Sequence, residues 1–156
     1  MMINIVLYRP QIPQNTGSIS RTCAVSGSKL HLIRDFSFSI SDKEVKRSGL
    51  DYWNLLDLEV HDDLDAFLNK YGDKKIYLCS KFGNKLYSNV KYDDDAFIIF
   101  GRETSGLPDD LCKKYKDSII RVPMKEVEGA RSLNLSNTVS LVLYEALRQN
   151  NFFDLI

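Results

Sequence analysis

Five short apolar runs recur along the chain: INIVLY (3–8), KLHLI (29–33), KIYLCS (75–80), AFIIFG (96–101) and SIIRVP (118–123). Helix-patterned stretches lie between them, so the rhythm is strand, helix, strand. Runs such as FIIF are apolar on successive residues, and a strand of that kind must be covered on both faces. Together these features predict an α/β fold, a mostly parallel sheet covered by helices on both faces.

The helices show in their ends. Asn15 is placed to cap a helix running to about Ser26, with Gly27 as its left-handed stop. A second helix is expected from Ser41 or Asp42 through KEVKRSG, ending near Gly49, and a third after Asp62 and Asp63 through LDAFLNKYG. Pro108 suits the first turn of a short helix through Leu111 to Tyr115. Near the end of the chain, Val139, Val142, Leu143, Ala146 and Leu147 form one stripe at helical spacing, the mark of a packed face. KYDDDA (91–96) reads as a solvated turn.

The chain has 156 residues, 44% of them hydrophobic, which suits a single domain over 1–156 with one core. Its 21 basic and 21 acidic side chains cancel, so any affinity for nucleic acid must come from a local patch. No segment approaches the ~18 consecutive apolar residues of a membrane span, and no basic region precedes the first apolar run. A soluble, cytoplasmic protein is expected. Cys23, Cys79 and Cys112 are odd in number and far apart, the pattern of small core or near-core residues rather than of disulfides or a zinc site. No G-x-G-x-x-G follows the first strand and no G-x-x-x-x-G-K-[ST] occurs, which argues against a dinucleotide site and a P-loop. His31 and His61 lie apart in the sequence, without a carboxylate or cysteine at ligand spacing. His31 is expected to be structural, and no metal is expected.

Three segments carry more polar and glycine residues than connectors need: IPQNTGSISRTCAVSG (12–27), FGRETSGLP (100–108) and RVPMKEVEGARSLNLSN (121–137). Each follows a predicted strand, and open α/β sheets bind their ligands at the carboxyl ends of strands. In the second, Gly101 and Gly106 let the backbone turn tightly and approach a ligand, although a purely structural turn would have the same pattern. In the first, Ser20, Ala24 and Gly27 give a small-residue face for another helix, but Arg21 is a lone cation among neutral residues. In the third, Ser132, Asn134 and Ser136 exceed what one helix cap requires.

NTGSISR, FGRETSGLP and SLNLSNTVSLVLYEALRQ, in that order and spacing, resemble motifs 1, 2 and 3 of the SPOUT class of S-adenosylmethionine-dependent RNA methyltransferases. Within that class they are most similar to the ribose 2'-O-methylating branch. The phrases IVLYRPQIPQNTG, SGLDYWNLLDLEVHDD and RSLNLSNTVS are similar to the tRNA wobble-position (cytidine/uridine 34) 2'-O-methyltransferases, and the likeness covers nearly the whole chain.

The resemblance implies a C-terminal trefoil knot, which nothing in the residue pattern demands and which runs against the general rule that chains do not thread loops. It implies S-adenosylmethionine as methyl donor, with no metal, held by Cys79, Gly101, Val122, Ser132 and Leu133. It implies that Arg21 acts in catalysis, surrounded by Asn15, Glu103, Ser132 and Asn134. A guanidinium is a poor base, so the role expected for Arg21 is to orient the ribose hydroxyl and a phosphate and to stabilise developing negative charge. Glu103 is expected to hold Arg21 or its own loop in place.

The implied substrate is the anticodon stem-loop of tRNA, in leucine isoacceptors, bound across a homodimer to which Tyr144 and Phe152 of the last helix are interface candidates. Arg9, Lys43, Lys46, Arg47, Lys125, Arg131 and Arg148 are the candidate phosphate contacts. Competing readings are the same enzyme acting at another tRNA or rRNA position, a catalytically silent RNA-binding dimer, and a small α/β protein for another nucleotide such as a flavin.

Overall fold

The computed structural model describes residues 1–36, 38–39, 50–129 and 132–156. The helix expected at 41–49 lies outside them. Seven strands are present: β1 Asn4–Tyr8, β2 Lys29–Ile33, β3 Leu58–His61, β4 Ile76–Cys79, β5 Lys85–Leu86, β6 Phe97–Phe100 and β7 Ile119–Arg121. Among the described residues four helices accompany them: α1 Pro13–Val25, α2 Leu64–Tyr71, α3 Asp109–Lys114 and α4 Leu135–Gln149. A 3-10 turn covers Leu50–Leu55.

The strands form one sheet in the order β3, β2, β1, β6, β4, β7, β5, with every neighbouring pair parallel. Side chains alternate across it and build two cores. Ile5, Leu7, Leu30, Leu32, Ile98, Phe100 and Ile120 face Ile19 and Cys23 of α1 and the whole expected stripe of α4. Val6, Ile33, Ile76, Leu78, Phe97 and Ile99 face Phe67 of α2 and Leu111 of α3. Val142, Leu143 and Leu147 are wholly buried, each contributing about 1.5–3 kcal/mol of transfer free energy.

Two strands, both at the edges of the sheet, escape the sequence pattern. LEVH forms edge strand β3, and Lys85–Leu86 forms the opposite edge, β5. A two-residue strand is too short to show periodicity. The start of α1 also differs from expectation. Asn15 is not its cap: the helix begins at Pro13, Ile12 is the capping residue and makes no side-chain cap bond. Proline fits the first helical position because it has no N–H to satisfy, and this moves the entrance three residues upstream. Asp63 caps α2 as its spacing suggests, accepting the Ala66 N–H at 2.7 Å.

The histidines correct a second expectation. Distant in sequence, they meet on adjacent parallel strands: His31 Nδ1 lies 3.0 Å from His61 Nε2, with Glu59 within 4.0 Å of both rings. The Asn4 amide nitrogen donates to backbone carbonyls, leaving its Oδ1 to accept from His31 Nε2 at 3.1 Å. His31 Nδ1 is then the acceptor for the His61 Nε2–H. Glu59 takes Lys29, Lys70 and Tyr71. The three residues are the one convergence of metal-ligating types among the described residues, and their neighbours in the fold include Asn4, Lys29, Lys70 and Tyr71.

Candidate active site

At the carboxyl ends of β4, β6 and β7 the loops enclose a cavity of about 660 Å³, within the size range of small-molecule sites. Its floor and walls include Cys79, Phe100, Gly101, Ile119, Val122 and Leu133, and its polar rim includes Asn15, Glu103, Ser132, Asn134 and Thr138. Eight of the nine residues assigned to the site from the sequence line this space. Arg21 is the ninth; it is exposed and outside the lining.

The three polar segments are joined by hydrogen bonds. Glu103, in the loop after β6, accepts the backbone N–H groups of Gln11 (2.8 Å) and Ile12 (3.0 Å) and the side-chain amide of Asn15 (3.4 Å). A carboxylate at a helix entrance satisfies donors that the helix leaves unpaired and complements its dipole. Glu103 therefore holds the entrance of α1 from a separate loop and shares no hydrogen bond or ion pair with Arg21. Asn15, freed from capping, accepts the Asn134 amide through Oδ1 at 3.0 Å. Asn134 uses its own Oδ1 to cap α4, accepting the N–H groups of Ser136 (2.9 Å) and Asn137 (3.3 Å). One side chain thus caps a helix and ties it to α1, which accounts for part of the polar surplus at this entrance.

The loop after β6 is closed on itself. Arg102 and Gly106 exchange both backbone hydrogen bonds at 3.0 Å. Gly106 has a φ of +69°, and a Cβ on Gly101 would lie 2.5 Å from the Gly106 carbonyl carbon. A side chain at 101 would force this loop open. The Arg102 Nε–H donates to the Arg9 carbonyl at 3.1 Å, fixing the loop to the end of β1.

The loop after β4 escaped the sequence analysis, although its signal was of the same kind: CSKFG places small and glycine residues at a strand's carboxyl end. Ser80, Lys81 and Phe82 line the cavity. The Ser80 N–H donates to the Ile120 carbonyl at 2.9 Å, and a Cβ on Gly83 would lie 2.6 Å from the Ile120 carbonyl carbon. The loop therefore lies directly on the backbone of β7. Burial pushes the Cys79 thiol up to about 12, so the sulfur beside the cavity is uncharged at neutral pH.

Arg21 lies six residues beyond Asn15 on α1, about 9 Å along the axis. Its guanidinium sits 4.7 Å from the ring centre of Tyr52, and Nη2 donates to the Tyr52 hydroxyl at 3.4 Å. Of the candidate phosphate contacts, Lys43, Lys46, Arg47 and Arg131 fall outside the described residues. Arg148 is paired with Glu145 at 2.8 Å. Tyr144 and Phe152 are 43% and 40% exposed. No helix among the described residues is long and apolar enough to cross a membrane.

Comparison with known proteins places this geometry. Residues 2–144 match the model of the SpoU rRNA methylase family. A Listeria monocytogenes protein, provisionally named a tRNA (cytidine(34)-2'-O)-methyltransferase, is 51% identical over 152 residues, covering 96% of this chain and 89% of the relative. The tRNA (cytidine(34)-2'-O)-methyltransferase of Saccharophagus degradans is 40% identical over 152 residues, covering 97% of each. A solved structure described as giving insights into the 2-OH methylation of C/U34 on tRNA superposes with a TM-score of 0.90 at 37% identity, covering 96% of this chain and 97% of that one. With its family model spanning most of the sequence and its fold shared with solved relatives, the chain belongs to the SpoU rRNA methylase family.

Proposed function

We propose that this protein transfers the methyl group of S-adenosylmethionine to the ribose 2'-hydroxyl of nucleotide 34 in tRNA, acting in the cytoplasm as a homodimer. The observation that carries this is the linkage of three separate segments, through Glu103, Asn15 and Asn134, at the mouth of one cavity. The names of the relatives supply the position of the nucleotide.

The residues present suit the donor. Backbone at Gly101, Val122 and Leu133 and the apolar side chains of Phe100 and Ile119 offer a close-fitting bed, while Asn15, Ser132 and Asn134 supply hydrogen-bonding groups at the rim. The bound donor contributes an activated methyl group on a sulfonium. In the transfer a C–O bond forms to the ribose oxygen, the C–S bond breaks, S-adenosylhomocysteine leaves and the hydroxyl proton passes to solvent or a nearby base. Alignment of oxygen, carbon and sulfur supplies much of the rate gain. Cys79 and Cys112 both line the cavity, and burial raises both thiols, so each stays protonated and is a poor acceptor for the methyl group.

Arg21 is assigned to the developing charge on the ribose oxygen. Since it lies outside the lining of its own chain's cavity, we place it in the cavity of the second copy. The exposed Leu141, Tyr144 and Phe152 at the outer side and end of α4 are apolar groups suited to the contact between copies. The trefoil knot expected of the family is supported by the course of the chain around β7: β4 and β5 flank that later strand, and only 80–84 connect them across it.

The test is incubation with labelled donor and bulk tRNA, followed by mass spectrometry of the methylated fragments from leucine and other isoacceptors. Methylation at ribose 34 is expected. Label at another tRNA or rRNA position would reassign the substrate, and absence of donor binding in calorimetry would leave a silent RNA-binding dimer. Replacing Arg21 by alanine is expected to lower kcat about a hundredfold or more while donor affinity stays unchanged; equal loss of both would give Arg21 a structural role.

A further inference from the structure

Given the role proposed for Arg21, on which this rests, the side chain poses a problem. An exposed arginine samples many rotamers, with about 2 kcal/mol of side-chain entropy to lose on being fixed. The usual way to hold a guanidinium is a carboxylate, but a bound anion would neutralise the charge that the developing alkoxide needs. Among the described residues Arg21 has no carboxylate in ion-pair range. It has Tyr52: ring centre 4.7 Å from the guanidinium carbon, hydroxyl 3.4 Å from Nη2.

We propose that Tyr52 is a positioning residue for the methyl transfer, presenting Arg21 with its charge and most of its donors unspent. An aromatic face attracts a cation through its quadrupole without cancelling its field at longer range. Of the five N–H donors of the guanidinium, one is engaged by the Tyr52 hydroxyl, the one hydrogen bond of this side chain among the described residues, so a ribose oxygen and a phosphate can share the rest.

The platform itself is fixed. Tyr52 stands on the 3-10 turn Leu50–Leu55, which packs against α1. The turn continues through Leu56, whose N–H donates to the Trp53 carbonyl at 3.3 Å and whose side chain packs on the core. The following Asp57 carbonyl accepts the Leu30 N–H at 2.9 Å, tying the segment to the sheet. The ring under Arg21 is thus anchored to the same core that anchors α1.

The experiment compares Tyr52→Phe and Tyr52→Leu with the full-length wild type, using tRNA and S-adenosylmethionine under single-turnover and steady-state conditions. The fluorescence of Trp53, the chain's only tryptophan, checks that each variant folds. Tyr52→Leu is expected to lower kcat about three- to thirtyfold, with donor Kd and tRNA KM unchanged, and Tyr52→Phe to restore most of the rate. In parallel, the Arg21 Nε–H proton resonance is expected to lie upfield through the ring current in the wild type and in Tyr52→Phe, and to lose that displacement in Tyr52→Leu. A wild-type kcat in Tyr52→Leu, a rise in KM instead of a fall in kcat, or an unmoved Arg21 resonance would overturn the proposal. Full activity in Arg21→Ala would overturn the role of Arg21 and this proposal with it, whereas an inactive Arg21→Ala beside a fully active Tyr52→Leu sinks this proposal alone.

Discussion

Glu103 shows how one side chain's role depends on what it accepts. Its carboxylate receives three N–H donors from the entrance of α1, and an amide in its place would turn a donor toward them. Glu103→Gln is expected to lower stability by about 1–2 kcal/mol in urea unfolding, at the lower end because the site is partly open to water, and to weaken donor binding measured by calorimetry. The histidine pair makes a prediction of a different kind. Burial holds both rings below the ordinary value of 6.5, His31 at about 3. The unfolded chain therefore takes up protons that the folded chain refuses. Stability from this pair is whole above about pH 6.5 and is lost progressively as pH falls from there toward 3. Glu59 acts in the same direction at lower pH. Burial raises its pKa, but hydrogen bonds from Lys70, Lys29 and Tyr71 outweigh this and hold it well below 4.5. Urea midpoints measured between pH 8 and pH 4 are expected to fall steadily below about 6.5, and His31→Gln to flatten that dependence.

At the level of elements, the loop after β4 is the most demanding piece of the fold because it lies on the backbone of β7. A methyl group at Gly83 would stand 2.6 Å from the Ile120 carbonyl carbon, and since the obstacle is backbone the loop must move. Gly83→Ala is expected to lower stability by about 1–3 kcal/mol and to raise the donor Kd, both measurable by unfolding with and without donor. Strands β1, β2, β4, β6 and β7 and the stripe of α4 were legible because apolar spacing maps directly onto burial. The edges β3 and β5 were not: LEVH is only half-buried, and two residues carry no period. The start of α1 was misplaced because Asn15 looks like a cap by type, while its side chain is spent on Asn134. The polar clusters marked the cavity, but pairings such as Glu103 with Gln11 depend on two strands lying side by side, which residue spacing does not encode.

For the whole molecule, the position of Arg21 outside its own chain's cavity makes a quantitative prediction about assembly. A mixture of Arg21→Ala chains with Gly101→Ala chains, each inactive alone, is expected to recover about one quarter of wild-type activity. In the proposed homodimer, with Arg21 serving the second copy's cavity, half of randomly formed dimers would be mixed and each mixed dimer would have one intact cavity served by one intact arginine. No recovery, with mixed dimers verified by native mass spectrometry, would return Arg21 to its own chain. The cavity also joins residues from opposite ends of the polypeptide, Asn15 near the start and Asn134 near the close. During synthesis on a ribosome, a chain halted before α4 would hold the first two motifs and still have no complete bed for the methyl donor. Capture of S-adenosylmethionine thus becomes a signal that α4 has been made and has docked, and a pulse-labelled nascent chain should acquire donor-dependent protease resistance only after α4 has emerged from the ribosome.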